Sequence, residues 1–522
     1  MLKLNLVSAL GTGLSLWSLT FGTGAGIAAE PKPAKPQVAA ASDEGDLAIK
    51  HFEPQPGFKI DLFAAEPHLA NPVAFTIDNK GRFYVVETFR LHKGVLDIRG
   101  IMPWLDEDLA CRTVEDRLAE MKRHLGEEIS TYELESERIK LIEDRDGDGR
   151  ADTSKVYAAD FNTILDGIAA GVLARKNDVW FANIPNLWHL RDNNGDGVAD
   201  QRRSLSYGYG VRVGFLGHDL HGLRFGPDGK LYFSIGDRGA SIQVGDKTIG
   251  HPDCGSVFRC NPDGSELEEF AFGLRNPQEL AFDQYGNLFT GDNNSDGGDK
   301  ARWVYVVEGG DNGWRVGYQF MESPMARGPW NAEKLWYPEW DGQAAYIVPP
   351  IANVASGPSG LTYYPGTGMP ERYAGHFFLT DFRGGKGSGI LSFAVKPKGA
   401  SFELVDEHKF LWEVLPTDVE FGIDGGIYYS DWVQGWEMTG KGRIYHVFDP
   451  SVMKQSVVAE TKKLLFDGME KRSLSELGKL LAHADQRVRQ EAQFELADRG
   501  QASVKTLTAI AKGNPNQLAR LH

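Results

Sequence analysis

Residues 221–237 read HGLRFGPDGKLYFSIGD. An apolar run ends at Phe225, Asp228-Gly229 supplies the positive-φ position of a tight turn, and a second run rich in aromatics follows. That is the pattern of a β-hairpin. Five more stretches repeat it: PVAFTIDNKGRFYVVET at 72–88, GIAAGVLARKNDVWFAN at 167–183, QELAFDQYGNLFTGD at 278–292, SGLTYYPGTG…GHFFLTD at 359–381 and TDVEFGIDGGIYYSD at 417–431. One hairpin cannot bury its apolar face. Six arranged around an axis can, and closing the ring protects the sheet edges. The repeats predict an all-β six-bladed propeller over residues 43–448, with its chemistry at one mouth.

Two stretches break the repeat. Residues 104–137, which include DRLAEMKRHLGEE, predict a helical insertion. Residues 314–349, rich in Trp, Tyr and Pro, predict a cover over one mouth. After residue 450 glycine thins out and Leu, Ala, Glu and Lys take over. Leu474, Leu477, Leu481, Val488, Ala492 and Leu496 recur at helical spacing, with Asp485 as an N-cap and Gly500 as a stop. Residues 457–522 therefore predict α-helical HEAT-like repeats, and the chain ends within the second unit, as a longer array would if cut.

Residues 4–29 carry no charge and end in small residues, the layout of a signal peptide over 1–29. Glu30-Pro-Lys-Pro-Ala-Lys-Pro36 continues it as a disordered linker, 30–42. The expected destination is the periplasm or cell envelope. A net charge of −16 argues against nucleic acid as a partner. The three cysteines, Cys111, Cys254 and Cys260, cannot all pair within one chain. Cys254 and Cys260 flank a predicted strand too long for a bridge, which leaves isolated thiols. No CxxCH occurs, so the chain has no covalent haem site of its own.

Two loops fit D-x-[DN]-x-D-G-x-x-D: Asp144, Asp146, Asp148 and Asp152 in one, Asp192, Asn194, Asp196 and Asp200 in the other. Oxygens at positions one, three, five and nine point inward and the glycine at six permits the bend, which suits calcium. Lys155 and Arg203 stand where an EF-hand has its bidentate Glu, so these are staples of hairpins rather than full EF-hands. His218 and Asp237 bracket the third hairpin, and a hairpin returns its end beside its beginning. A carboxylate-oriented His is a general base near neutral pH. Arg275, before the fourth hairpin and fixed by Asn276-Pro277, presents a fork for anions.

HDLHGLRFGPDGKLYFSIGDRG, then GLRNPQELAFDQYGNLF, then VVEGGDNGW appear in that order. The series resembles the soluble quinoprotein glucose/sorbosone dehydrogenases, which are six-bladed propellers. With the leader, the twin acidic loops and the helical tail, the chain is similar to the membrane-bound dehydrogenases abundant in planctomycetes, many of which end in a c-type haem domain. The resemblance implies a sugar or polyol dehydrogenase using pyrroloquinoline quinone (PQQ) and passing electrons to a cytochrome. It implies His218 as the base, Asp237 as its partner, and Arg275, Asn276 and Arg383 as cofactor contacts. Gly217 stands where that family has an acidic residue. Two other readings stay open on the residues alone: a non-catalytic carbohydrate- or protein-binding propeller, and a calcium-dependent lactonase.

Overall fold

All six quoted stretches are antiparallel hairpins in the computed structural model, which describes residues 33–323, 326–344, 346–385 and 387–522. The expected signal peptide lies outside the described residues. Each hairpin forms the inner half of one sheet, or blade. Blade one is Pro72–Ile77, Phe83–Glu87, Glu137–Glu143 and Thr153–Phe161. Blades two to five begin with the inner strands Gly171–Arg175, Leu220–Phe225, Pro277–Phe282 and Pro358–Tyr363. Blade six has Pro416–Phe421, Ile427–Asp431 and Arg443–Phe448, and its outermost strand is Lys59–Ala64 from the start of the domain. That pairing fastens the ring. The six inner strands pack in a cycle, each against the next, and Pro416–Phe421 returns to Pro72–Ile77. The fold is a six-bladed propeller followed by a helical region.

The turns form for local reasons. In blade one Asp78 Oδ1 accepts Lys80 N (2.8 Å) and Arg82 N (3.0 Å), while Gly81 takes φ +76°. Asp283 does the same for Tyr285 N and Asn287 N in blade four. Between blades the core is apolar and aromatic. Phe289 and Trp303 of blade four meet Phe377 of blade five, with ring centroids 5.0 and 5.1 Å apart, and all three are fully buried.

Inner-strand entries and the loops after second strands lie on one face, called here the upper face. The hairpin turns lie on the lower face. Both insertions serve the upper face. The first forms helices Leu105–Ala110 and Val114–Leu125, the latter opened by a Thr113–Asp116 capping box. The second forms short turns at Val316–Phe320 and Pro329–Ala332.

The C-terminal helices Ser456–Asp467, Leu474–Leu480, Gln486–Asp498, Val504–Gly513 and Gln517–Leu521 cover the lower face. Leu477, Leu481, Val488, Ala492 and Leu496 form their core at 0% exposure. Gln486 Nε2 donates to Asp283 O (3.1 Å) and Gln490 Nε2 to Phe225 O (3.1 Å), which fixes them to the turns of blades four and three. Among the described residues no helix is long and apolar enough to cross a membrane. The three thiols are free and buried.

Candidate functional site

The third hairpin pairs Leu220 with Ile235 and His221 with Ser234. Two residues outward on each strand, the same register sets His218 opposite Asp237. Their side chains meet at 2.6 Å, Nδ1 to Oδ1. A carboxylate can only accept here, so Nδ1 carries the proton and Nε2 keeps its lone pair. Nε2 has no partner among the described residues and is not fully sealed from solvent. The second carboxylate oxygen, Oδ2, accepts Trp314 Nε1 at 2.8 Å. His218 is 6% exposed and Asp237 4%. Gly236 is required between the strands, because a Cβ there would lie 2.8 Å from His218 Cβ and 2.8 Å from Asn276 Oδ1.

The electrostatics favour a neutral base beside an ionised carboxylate. Burial draws His218 below its usual 6.5; Asp237 opposes this and nearby Arg275 reinforces it. Burial alone would raise Asp237, but His218, Arg275 and Trp314 together hold it below the usual carboxylate range.

Arg275 reaches the pair from the neighbouring blade. Its carbonyl accepts Asp237 N at 2.7 Å. Its own N–H and that of Asn276 donate to Asp292 Oδ1 at 2.9 and 2.8 Å. Asp292 in turn pairs with Arg302, both fully buried. The Arg275 guanidinium donates through Nε to Gln319 Oε1 (3.0 Å) and lies 5.6 Å from the Phe215 ring centre and 5.7 Å from that of Trp314. Neither Nη atom has a partner among the described residues, and neither is a sealed, unpartnered atom. Asn276 Nδ2 donates to Gly217 O (3.3 Å), while its Oδ1 is buried without a partner. The upper face thus joins a proton acceptor and a guanidinium whose two Nη atoms have no partner among the described residues.

Arg383 is not tied to this group. Its Nε donates to Asp381 Oδ2 (2.9 Å) in its own blade. The two acidic loops link third and fourth strands of blades one and two, on the lower face. Ligand oxygens of Asp144, Asp146 and Asp152 lie within 4.8 Å of one another. Asp148 accepts Arg150 N (2.8 Å). The second loop repeats the turn: Asp192 accepts Gly195 N (2.7 Å) and Gly197 N (2.8 Å), Asp196 accepts Val198 N (2.9 Å), and Asn194 Nδ2 donates to Asp200 (3.2 Å). These are oxygen-only donor sets with bends that suit calcium.

At the ring axis, Arg224 of blade three crosses to Glu420 of blade six (2.5 Å) and also reaches Glu279 of blade four at 3.5 Å. Asp418 lies with them, pushed up to about 7 by burial. Trp314 and Trp330, from the cover predicted over one mouth, are fully buried. A cavity of about 370 Å³ lies at the lower face, between the hairpin turns and helix residues Arg487, Gln490 and Phe494, away from His218.

Gln319 escaped the motif reading, while Asp292, read as the start of an oxygen-rich run, and Trp314, at the end of VVEGGDNGW, entered it without the contacts they make here. Asp292 does carry a signal, since Glu87, Asp381 and Asp431 end the second strands of blades one, five and six, and Asp237 stands two residues past that of blade three. In blade five Asp381 Oδ1 likewise accepts Ser356 N and Gly357 N at 2.9 and 2.8 Å.

The family model described as a domain of unknown function, DUF7133, matches residues 44–436. The chain belongs to that family. No curated protein matches it. Among solved structures, a glucose dehydrogenase is 14% identical and aligns with a TM-score of 0.49, over 74% of this chain and 98% of its own. A PQQ-bound aldose sugar dehydrogenase from Streptomyces coelicolor is 16% identical at 0.45, over 76% and 99%. The apo soluble aldose sugar dehydrogenase from Escherichia coli is 14% identical at 0.44, over 75% and 99%. The propeller assignment of this DUF7133 chain rests on its own strand pairing.

Proposed function

We propose that this chain is an exported dehydrogenase that oxidises a hydroxyl of a sugar or polyol at the upper face, with PQQ as acceptor. The observation that carries the reading is the His218–Asp237 pair, with Nε2 open, beside the free Nη atoms of Arg275. A substrate hydroxyl within hydrogen-bond reach of Nε2 gives up its proton there as the carbon loses hydride. Asp237 fixes the tautomer and stabilises the imidazolium that forms. PQQ, when bound, supplies the two-electron acceptor. Its carboxylates suit the guanidinium of Arg275, which lies near the Phe215 and Trp314 rings. Arg383, paired with Asp381, is a lesser candidate for the same role.

Electrons would pass on to a cytochrome or a c-type haem domain. Calcium in the Asp144 and Asp192 loops would brace the outer strands of blades one and two. The helical region is read as HEAT-type repeats.

Titration of the calcium-loaded chain with PQQ, followed by quinone fluorescence, tests the reading. Stoichiometric binding that weakens in Arg275→Ala supports it, as does dye-coupled sugar oxidation that vanishes in His218→Ala with folding intact. No binding, or full turnover in His218→Ala, sinks it.

A further inference from the structure

The first insertion carries three acidic groups that this chemistry does not use. Asp108 lies in helix Leu105–Ala110, Cys111 follows that helix, and Glu120 comes from helix Val114–Leu125. Their exposures are 1%, 5% and 0%. One carboxylate oxygen from each acid and the sulfur lie within 4.8 Å of one another. Cys111 Sγ is 3.7 Å from Glu120 Oε2, and Glu120 Oε1 is buried with no partner at all.

Nothing cationic among the described residues pairs with them. Arg212, beside them, spends its guanidinium on the carbonyl oxygens of Asp108, Cys111, Asp237 and Pro252. Arg238 pairs with Asp219, and Arg123 with Glu107. Two carboxyls and a thiol converging in a buried pocket, one carboxyl oxygen without a partner, is a costly arrangement unless a cation completes it.

We propose that Asp108, Cys111 and Glu120 form a binding site for a divalent cation of the zinc class. A tetrahedral zinc ion with ligands at about 2.0–2.3 Å sets its donors roughly 3.5 Å apart. Closing the 4.8 Å cluster to that spacing requires the side chains to shift, Asp108 being held by the N–H groups of Val213 and Gly214. The Cys111 thiol also donates to Glu107 O at 3.5 Å. The sulfur separates this site from the acidic loops, since thiolate selects zinc-like ions and all-oxygen sets select calcium.

The site has a place in the architecture. Asp108 also accepts Val213 N at 2.6 Å and Gly214 N at 3.1 Å. Two residues on from Val213, the Phe215 ring lies 5.5 Å from the ring of His218. A bound ion would lock the insertion to the segment that carries the base.

Cobalt(II), added to the full chain after stripping with a strong chelator, reports on the sulfur directly. We expect one equivalent to give a thiolate-to-cobalt charge-transfer band that zinc abolishes. Cys111→Ser should remove the band and Glu120→Gln should weaken binding at least about tenfold. The band should survive in Cys254→Ala/Cys260→Ala and in Asp144→Asn. Absence of the band in the parent chain overturns the proposal, as does a band that survives Cys111→Ser. Should either ligand variant fail to fold, the parent and the double cysteine variant decide the matter alone.

Discussion

Trp314 Nε1 donates to Asp237 Oδ2 at 2.8 Å across 77 residues of chain, so the second insertion completes the carboxylate that orients His218. Asp237 meets two donors with two oxygens. Asparagine has one acceptor oxygen, so Asp237→Asn leaves either the imidazole or the indole N–H facing an amide. If the imidazole loses, its proton moves to Nε2 and the base is blocked. Dye-coupled turnover should fall by about 10²–10⁴, the usual range for general acid–base catalysis. Trp314→Phe keeps the tautomer and should cost far less. Equal losses in the two variants would mean that Asp237 acts only through packing.

The pH profile carries a sign. Burial lowers His218, Asp237 raises it and Arg275 lowers it, with a net position below 6.5. Turnover should therefore rise with pH through a midpoint below 6.5 and level off above it. Arg275→Gln removes a neighbouring positive charge and should move that midpoint upward. The same depression makes the unfolded chain the better proton binder below 6.5, so His218 contributes a loss of stability as pH falls through that range. A midpoint that ignores Arg275→Gln would show that another group controls the limb.

The hairpins were legible because each packs its signal into about fifteen residues: alternating apolar positions, then a turn built on Asp or Gly. The fastening of the ring was not. Lys59–Ala64 carries no mark of its partner Arg443–Phe448, because any half-buried strand could fill that edge. The site divides in the same way. His218 and Asp237 follow from hairpin register alone. Trp314 and Gln319 arrive on an insertion whose path depends on tertiary packing. Asp292 was legible in principle as a recurring acid at the end of a second strand, yet its task, holding the N–H groups of Arg275 and Asn276, appears only in three dimensions.

The axial carboxyls predict a stability profile of opposite sense to that of His218. Burial, with Asp418 beside it, raises Glu279 well above its ordinary 4.5. Arg224 makes its close contact with Glu420 and lies farther from Glu279. Above the ordinary carboxylate range the folded chain binds more protons than the unfolded one, so stability falls as pH rises toward the folded value. Glu279→Gln removes that loss. Its Tm should exceed the parent's at pH 8, by about 1 °C for each kcal/mol recovered in a unit of this size, and the gap should narrow toward pH 4. A lower Tm at pH 8 would show Glu279 ionised and serving Arg224.

Asp485 joins the helical region to the propeller and is fully buried. Its Oδ1 accepts Arg487 N at 2.9 Å as a helix N-cap, and its Oδ2 accepts Thr367 Oγ1 at 2.6 Å and the Arg487 guanidinium at 2.9 Å. That guanidinium also donates to Phe421 O and Gly422 O in the blade-six turn, at 3.0 and 2.8 Å. Asp485→Ala removes the cap, worth about 1 kcal/mol, and strands a buried charge partner. The total cost should approach 3–5 kcal/mol, the usual range for breaking a buried pair. Asp485→Asn retains one oxygen for the cap and should lose less. Urea unfolding measures both through the shift in midpoint at constant slope. A loss in Asp485→Ala no larger than the cap alone would mean that Arg487 holds the helices to blade six without its carboxylate.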